Sequence, residues 1–383
     1  MNSSVIRRTT RTAAAAAVLA GLVTAAGPAA ASGSACVPEV LALPPLTADG
    51  GGEVSDFGPN GLAVGSSAGL PAYWTADRAV HAVPVPAGFQ SGSVRAVNSW
   101  GLMVGTLVSG GPGSAQAAFT YRLGEASVQL ITGAAVSNAA VDVNDAGHVV
   151  GVDGGIAKVW LNGAVLRELP LPQDAHPGTV ISSVGAVNKR GDIVGTARTE
   201  YWDEPNDLMV AKTFPVVWPA GGYPTYSLPV WTGDDPTVGS HATDIDDKGR
   251  VVGYEKESYR DVQRRTPAAW KRPYDALPTA VAPVTGYGNA TLDSVSPTTN
   301  VSVGTAVNFV EGYANHIRAA YWPGRGPMLA LPLPDGGGPD WRSEATAVSD
   351  DDRVGGWYLN WQTGESKAVV WTCAGAQAYA PQG

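Results

Sequence analysis

The segment Ala186-Val187-Asn188-Lys189-Arg190-Gly191-Asp192-Ile193-Val194-Gly195 decides the fold, because the chain repeats it. Ala96-Val97-Asn98 runs through Gly101 to Val104-Gly105, and Asp142-Val143-Asn144 through Gly147 to Val150-Gly151. Asp244-Ile245-Asp246 leads through Gly249 to Val252-Gly253. Divergent versions are Asp56 to Val64-Gly65, a degenerate one ending Val303-Gly304, and Ala347-Val348-Ser349 to Gly355-Gly356. The closing glycines are 65, 105, 151, 195, 253, 304 and 356, at steps of 40 to 58 residues. A period of this size is the signature of a repeat architecture.

Each repeat has a second half. A small residue or proline is followed three positions later by an aromatic: Pro71 and Trp74, Ala118 and Tyr121, Ala157 and Trp160, Pro215 and Trp218, Pro267 and Trp270, Ala319 and Trp322, Ala368 and Trp371. A short apolar run with proline follows, as in Val83-Pro84, Leu169-Pro170, Leu228-Pro229, Leu277-Pro278 and Leu331-Pro332.

In repeats 2 to 5, Asn or Asp with Gly three residues later is a type I turn, in which the side chain bonds the turn backbone. Apolar pairs on both sides make it a hairpin between two strands, a and b. The Val-Gly that ends b permits a bulge or the close approach of another backbone. Strand c carries the aromatic, large enough to fill the space between sheets. Strand d contains proline, which cannot donate to a ladder, so d is an edge strand. Four short strands per repeat, seven times over, predict an all-β, seven-bladed β-propeller.

Seven copies of a, b and c are present, but nothing clearly resembling d follows Trp371. Leu41-Ala42-Leu43-Pro44-Pro45-Leu46 stands before the first repeat, so the ring is expected to close with this N-terminal strand on the last blade. The competing assignment makes Ala378-Tyr379-Ala380-Pro381 the last d strand. Cys36 and Cys373 flank the closing strands and are the only cysteines, which predicts a disulfide in an oxidising compartment. Acylation of Cys36 is the other reading, but Gly33-Ser34-Ala35 lacks the aliphatic residue such a site needs.

The phrase Asn-x-x-Gly-x-x-Val-Gly, followed by a small residue, two residues and Trp, resembles the repeat of bacterial extracellular HAF-repeat proteins over residues 41–372. Ala118-Phe119 retains part of the name-giving triplet. The resemblance implies a secreted β-repeat protein and carries no agreed activity.

The chain has 383 residues, with 34 acidic against 25 basic, a balance that excludes a nucleic-acid partner. Arg7, Arg8 and Arg11 precede an apolar stretch from Ala13 to Gly27 and small residues at Ala29-Ala30-Ala31. This predicts a secretory signal peptide over 1–31, of the Ala-rich, Arg-bearing kind seen in high-GC actinobacteria, and one propeller domain over 32–383. The Sec route is favoured over twin-arginine export, because Thr9-Thr10 stands where an apolar pair belongs. No later stretch is long enough to span a bilayer, so a secreted monomer is expected.

Motifs for chemistry are weak. Gly65-Ser66-Ser67-Ala68-Gly69 matches a nucleophile elbow in letters, but no helix follows to support Ser67. Asp244-Ile245-Asp246-Asp247-Lys248-Gly249 resembles the start of a calcium loop, lacks its twelfth ligand and coincides with the repeat turn. Asp350-Asp351-Asp352 takes the same reading. No two histidines are spaced as metal ligands, and no metal, cofactor or catalytic residue is expected. Carboxylates facing a propeller axis could still support hydrolase or lyase chemistry on an extracellular polymer.

The positive signal is the placement of tryptophans outside the repeat position. Trp202, Trp231, Trp341, Trp357 and Trp361 all fall in b–c or d–a connections, which share one face of a propeller, and Trp100 falls in an a–b turn. Asp203, Glu204, Asp207, Asp234 and Asp235 accompany two of them. Aromatics on variable loops point to a binding surface for an extracellular protein or a polysaccharide. A structural envelope protein and a propeller hydrolase or lyase are the alternatives.

Overall fold

A computed structural model describes residues 36–381, apart from 112, 132–136, 174, 204–206, 223, 232–237, 260–261, 311–312, 335–336 and 339–340. The expected signal peptide, and Glu204, Asp234 and Asp235, lie outside the described residues.

The strands form seven antiparallel sheets arranged around an axis, a seven-bladed β-propeller. In order a to d, blade 1 is Gly52–Phe57, Ala63–Ser67, Leu70–Trp74 and Val80–Ala82, and blade 2 is Phe89–Val97, Leu102–Ser109, Gln116–Arg122 and Gln129–Leu130. Blade 3 is Asn138–Val143, His148–Asp153, Ile156–Leu161 and Ala164–Glu168. Blade 4 is Val180–Val187, Ile193–Asp203, Leu208–Trp218 and Tyr226–Ser227. Blade 5 is Val238–Ile245, Val251–Tyr259, Val262–Trp270 and Thr279–Ala280. Blade 6 has its a strand in two pieces, Asn289–Ala290 and Ser294–Val295, then Ser302–Val310, Tyr313–Trp322 and Leu329–Ala330. Blade 7 is Trp341–Val348, Val354–Asn360 and Ser366–Thr372, with Glu39–Ala42 as its outer strand.

The N-terminal strand therefore closes the ring, Val40 pairing Trp371 and Leu41 pairing Val370. The C-terminal segment goes elsewhere. After a short helix, Ala374–Gln377, Tyr379 exchanges backbone hydrogen bonds with Ala330 on the outer strand of blade 6. Both cysteines are disulfide-bonded, so the bond is Cys36–Cys373.

The closing glycines earn their place by close approach. Strand a bulges in blades 1 to 5 and 7, as between Ala140 and Asp142, and the carbonyl two residues before the bulge turns toward the facing glycine. A Cβ on Gly65, Gly151, Gly253 or Gly356 would lie 1.9 Å from the carbonyl oxygen of Glu53, Ala139, His241 or Glu344. In the a–b turns, Asn98 Oδ1 accepts from the N–H groups of Trp100 and Leu102, and Gly101 takes φ +75°. The Asn98, Asn144 and Asn188 side-chain amides then donate to the backbone carbonyl of Asn144, Asn188 and Asp246 in the next blade.

Proline and tryptophan are two halves of one contact. The indole N–H of Trp74, Trp218, Trp270 and Trp371 donates to the carbonyl of Pro44, Pro170, Pro229 and Pro332, which stands two residues past strand d of the preceding blade. The buried residue before that position donates back to strand c: Leu43 to Ala368, Val83 to Pro71, Leu169 to Ala157, Leu228 to Pro215 and Leu331 to Ala319, each at 2.9 Å. In blade 5 this residue is Val281, bonded to the Pro267 carbonyl, rather than Leu277. Leu277-Pro278 satisfies the local pattern, but Leu277 is exposed and lies just before the strand.

Candidate functional site

Strand a of each blade runs along the axis from the b–c/d–a face to the a–b turns, so its side chains line a central channel of about 860 Å3. At the b–c/d–a end, a cleft of about 700 Å3 lies along the seam of blades 7 and 1. Glu53 lines both spaces.

The cleft is lined by Gly50, Gly51 and Gly52, by the hydroxyls of Thr47, Ser66 and Ser366, and by Glu53 and Trp357. Trp357 follows the closing glycine on strand b of blade 7 and donates a side-chain hydrogen bond to Glu344 on strand a. Burial pushes the Glu344 carboxyl up to about 7, helped by the charges of Asp293 and Glu53. Burial raises Glu53 too, against the opposing pull of Arg95. Glu53 and Glu344 occupy the same register position on adjacent blades, each presenting the carbonyl that faces a closing glycine.

Deeper in the channel, Asp56, Asp142 and Asp244 stand on blades 1, 3 and 5. Each carboxylate takes the N–H of the next residue on Oδ1 and an N–H of the following blade on Oδ2. The donors are Phe57 and Val97, Val143 and Val187, and Ile245 and Val295, at 2.7 to 2.8 Å. Blades 2, 4 and 7 carry Ala96, Ala186 and Ala347 here, and the three carboxylates tie blades 1 to 2, 3 to 4 and 5 to 6. Burial raises all three, Asp56 to about 8 and Asp244 to about 7, with mutual repulsion adding to it at Asp56 and Asp244. On strand a of blade 5, three residues before Asp244, His241 stacks on Tyr254 at 4.8 Å, with Nε2 3.3 Å from Thr213 Oγ1. Burial, with Lys256 and Arg265 nearby, pushes His241 down to about 4.

The five tryptophans singled out by their position divide into three settings. Trp357 lines the cleft. Trp361 is exposed on the same blade, with the Arg342 guanidinium 4.0 Å over its ring. Trp341 is half-buried and stacks on Tyr358 at 5.0 Å. Trp231 packs against the blade 4–5 core, and its indole N–H donates to Pro278 at 2.9 Å. Trp202 is exposed, opposite Met209, in a ladder of eleven pairs from Ile193 to Asp203. The long b–c connections of blades 4, 5 and 6 are thus extensions of strands b and c, not loops, because alternating residues such as Arg198 to Asp203 keep pairing in register.

The weaker motifs resolve into structure. Ser67 is fully buried on strand b and accepts the Leu46 N–H. Asp246 is buried and its Oδ1 accepts the N–H groups of Lys248 and Arg250, as a turn residue does. Among the described residues, no group of three His, Cys, Asp or Glu could hold a metal ion, and no helix is long and apolar enough to cross a membrane.

The residues of the cleft and channel, Glu53, Glu344, Asp56, Asp142 and Asp244, were not evident as a set in the sequence. Their signal was present: Asp and Ala alternate through blades 1 to 5 two residues before the first turn residue, which is Gly58, Asn98, Asn144, Asn188 or Asp246, and Glu or His stands two residues before the bulge in blades 1, 5 and 7.

No protein-family model and no curated relative matches the chain. Among solved structures, it is similar to virginiamycin B lyase from Staphylococcus aureus, with TM-score 0.52 and 9% identity over 88% of this chain and 99% of that one. It is also similar to the β-propeller domain of the trilobed protease from Pyrococcus furiosus, with TM-score 0.49 and 10% identity over 84% of this chain and 93% of that one. At these identities the likeness concerns the fold alone.

Proposed function

We propose that the chain is an exported binding propeller that takes a polyhydroxylated ligand, a segment of cell-envelope polysaccharide, in the cleft between blades 7 and 1. The observation that carries this reading is the pairing of Trp357 with Glu53 in one glycine- and hydroxyl-lined cleft. An indole offers a flat apolar face to the C–H side of a sugar ring, and a carboxylate and hydroxyls accept and donate to its O–H groups. The glycines leave the floor without side chains, so a ring can approach the backbone. Export is supported by the basic and apolar N-terminal pattern and by the disulfide, and the repeat supports kinship with the HAF-repeat proteins.

The test is binding of the mature chain to purified envelope polysaccharides, followed by calorimetry with soluble fragments. Glu53→Gln, which keeps size and removes charge, and Trp357→Phe, which keeps a ring and removes the indole, should each weaken binding roughly tenfold or more while leaving the fold intact. Unchanged affinity in both variants would overturn the assignment of the cleft. Release of reducing or unsaturated ends, lost in Glu53→Gln, would instead mark the cleft as the site of a hydrolase or lyase.

The second reading, a protein partner, is favoured by the blade 4 hairpin. There Trp202 and Met209 stand exposed side by side on facing strands, an arrangement common in protein interfaces.

A further inference from the structure

We propose that the axial channel is a binding site for a linear alkylammonium cation, a polyamine lying along the propeller axis. This site lies deeper than the polysaccharide cleft, shares Glu53 with it, and does not depend on that reading.

Among the described residues, eight carboxylates line the channel against two basic side chains, Arg95 and Lys189. Six of them form two rings. Asp56, Asp142 and Asp244 make the inner ring, on blades 1, 3 and 5. Three residues further along strand a and into the turn, Asp145, Asp247 and Asp350 make the outer ring, on blades 3, 5 and 7. The inner ring has a structural reason to be carboxylate, since both oxygens of each residue accept an N–H and an amide could serve only one of them.

The outer ring has no such reason. Asp145 Oδ1 accepts the Ser99 N–H, Asp247 Oδ1 that of Lys189, and Asp350 Oδ1 that of Thr298 along with the Ser296 hydroxyl. Among the described residues these bonds use one oxygen of each, so Asn would cap as well. The charge is surplus to capping, and it faces the lumen.

A second observation concerns the wall itself. Thr196 is buried at 1% exposure, lines the channel, and its Oγ1 has no partner among the described residues. A hydroxyl held in that state accepts an ammonium N–H without competition.

The type of cation follows from the spacing. Charges on separate blades around an open lumen do not converge as metal ligands do. They match a cation whose charges are spread along a flexible chain, with methylenes lying against Val141, Val184 and Ala186 on the same wall. A lumen with an excess of one sign within low-dielectric walls also concentrates such a cation.

The experiment is calorimetry of the mature chain with spermine at low and physiological salt, in buffers of different ionisation enthalpy. Expected are saturable binding that weakens with salt and a release of protons at pH 7, as the wall carboxyls that resist ionisation ionise beside the incoming ammonium and lose their protons to the buffer. The double variant Asp145→Asn, Asp247→Asn keeps both caps, so its melting temperature should stay at the wild-type value while spermine affinity falls about tenfold or more. Competition by an oligolysine peptide would also support the site, and the tighter of the two ligands would identify whether the ammonium comes from a free amine or a basic peptide. Equal affinity in the double variant, or displacement of spermine by Mg2+ at matched ionic strength, would overturn the proposal.

Discussion

Substituting alanine for Gly151 tests the central device of the fold. The added Cβ would sit 1.9 Å from the Ala139 carbonyl oxygen, and also 3.0 Å from the carbonyl carbon and 3.1 Å from the Ala140 Cα. Ordinary contact for a Cβ begins at 3.4 Å, so strand a of blade 3 would have to move by more than 1 Å at its bulge. Strand a is anchored there from both sides. Asp142 bonds the N–H groups of Val143 and Val187, and Ala140, Val143 and Val150 are buried between blades. Overpacking costs about 1–3 kcal/mol, and losing two or so ladder hydrogen bonds adds about 1 kcal/mol each, giving about 3–5 kcal/mol. That is a large share of a typical folding free energy. Gly163 is the matched control, with φ +79° and open space around its Cβ position, so Gly163→Ala should cost only the left-handed backbone term, about 1 kcal/mol. Urea unfolding of both variants reads the difference. A Gly151→Ala protein within 1 kcal/mol of wild type would refute the close-approach explanation for the seven glycines.

The tryptophans should separate by packing. Trp218→Ala should cost about 3–5 kcal/mol and Trp231→Ala about 2–4, since both rings are packed and both indole N–H groups are bonded, whereas Trp202→Ala should stay within about 0.5 kcal/mol. Equal melting temperatures for Trp231→Ala and Trp202→Ala would contradict this. Replacing Cys36 and Cys373 with Ser opens a loop of more than 300 residues and should destabilise by about 5 kcal/mol on the loop-entropy scale, with the linked pair found by non-reducing peptide mapping of the wild type. Stability should also fall as pH rises from about 4 to 8. Asp56 and Asp244 hold protons in the fold to about 8 and 7 but release them near 4 when unfolded, so the folded chain binds more protons across that window. His241, lowered to about 4, works the other way between pH 4 and 6.5, as one group against several carboxylates. A denaturation free energy that is flat or rises from pH 6.5 to 8 would refute the buried-carboxyl account.

The sequence by itself determined the blade count, the strand plan and the ring closure, because each is written in local chemistry repeated seven times. Gly151 and its counterparts, the Asn98-type turns and the Trp74-type core residues do the same physical job in each blade, so a single chain contains its own alignment. The two cysteines followed from where the first and last strands had to meet.

What the tertiary structure decided is what depends on neighbours distant in sequence. Leu277-Pro278 fits the local pattern of strand d better than Val281-Ala282-Pro283 does, and only pairing with the Pro267 carbonyl selected Val281. Trp231 and Trp361 look alike as connection residues, yet one meets Pro278 and the core while the other meets solvent and Arg342. Glu53 and Glu344 lie at opposite ends of the domain in sequence, and closing the ring brings them onto adjacent blades, where the Glu53 charge helps burial raise the proton affinity of Glu344. Fold follows from steric and hydrogen-bonding rules that act within a few residues. The site follows from burial and long-range charge, which exist only once seven separate strands face one axis.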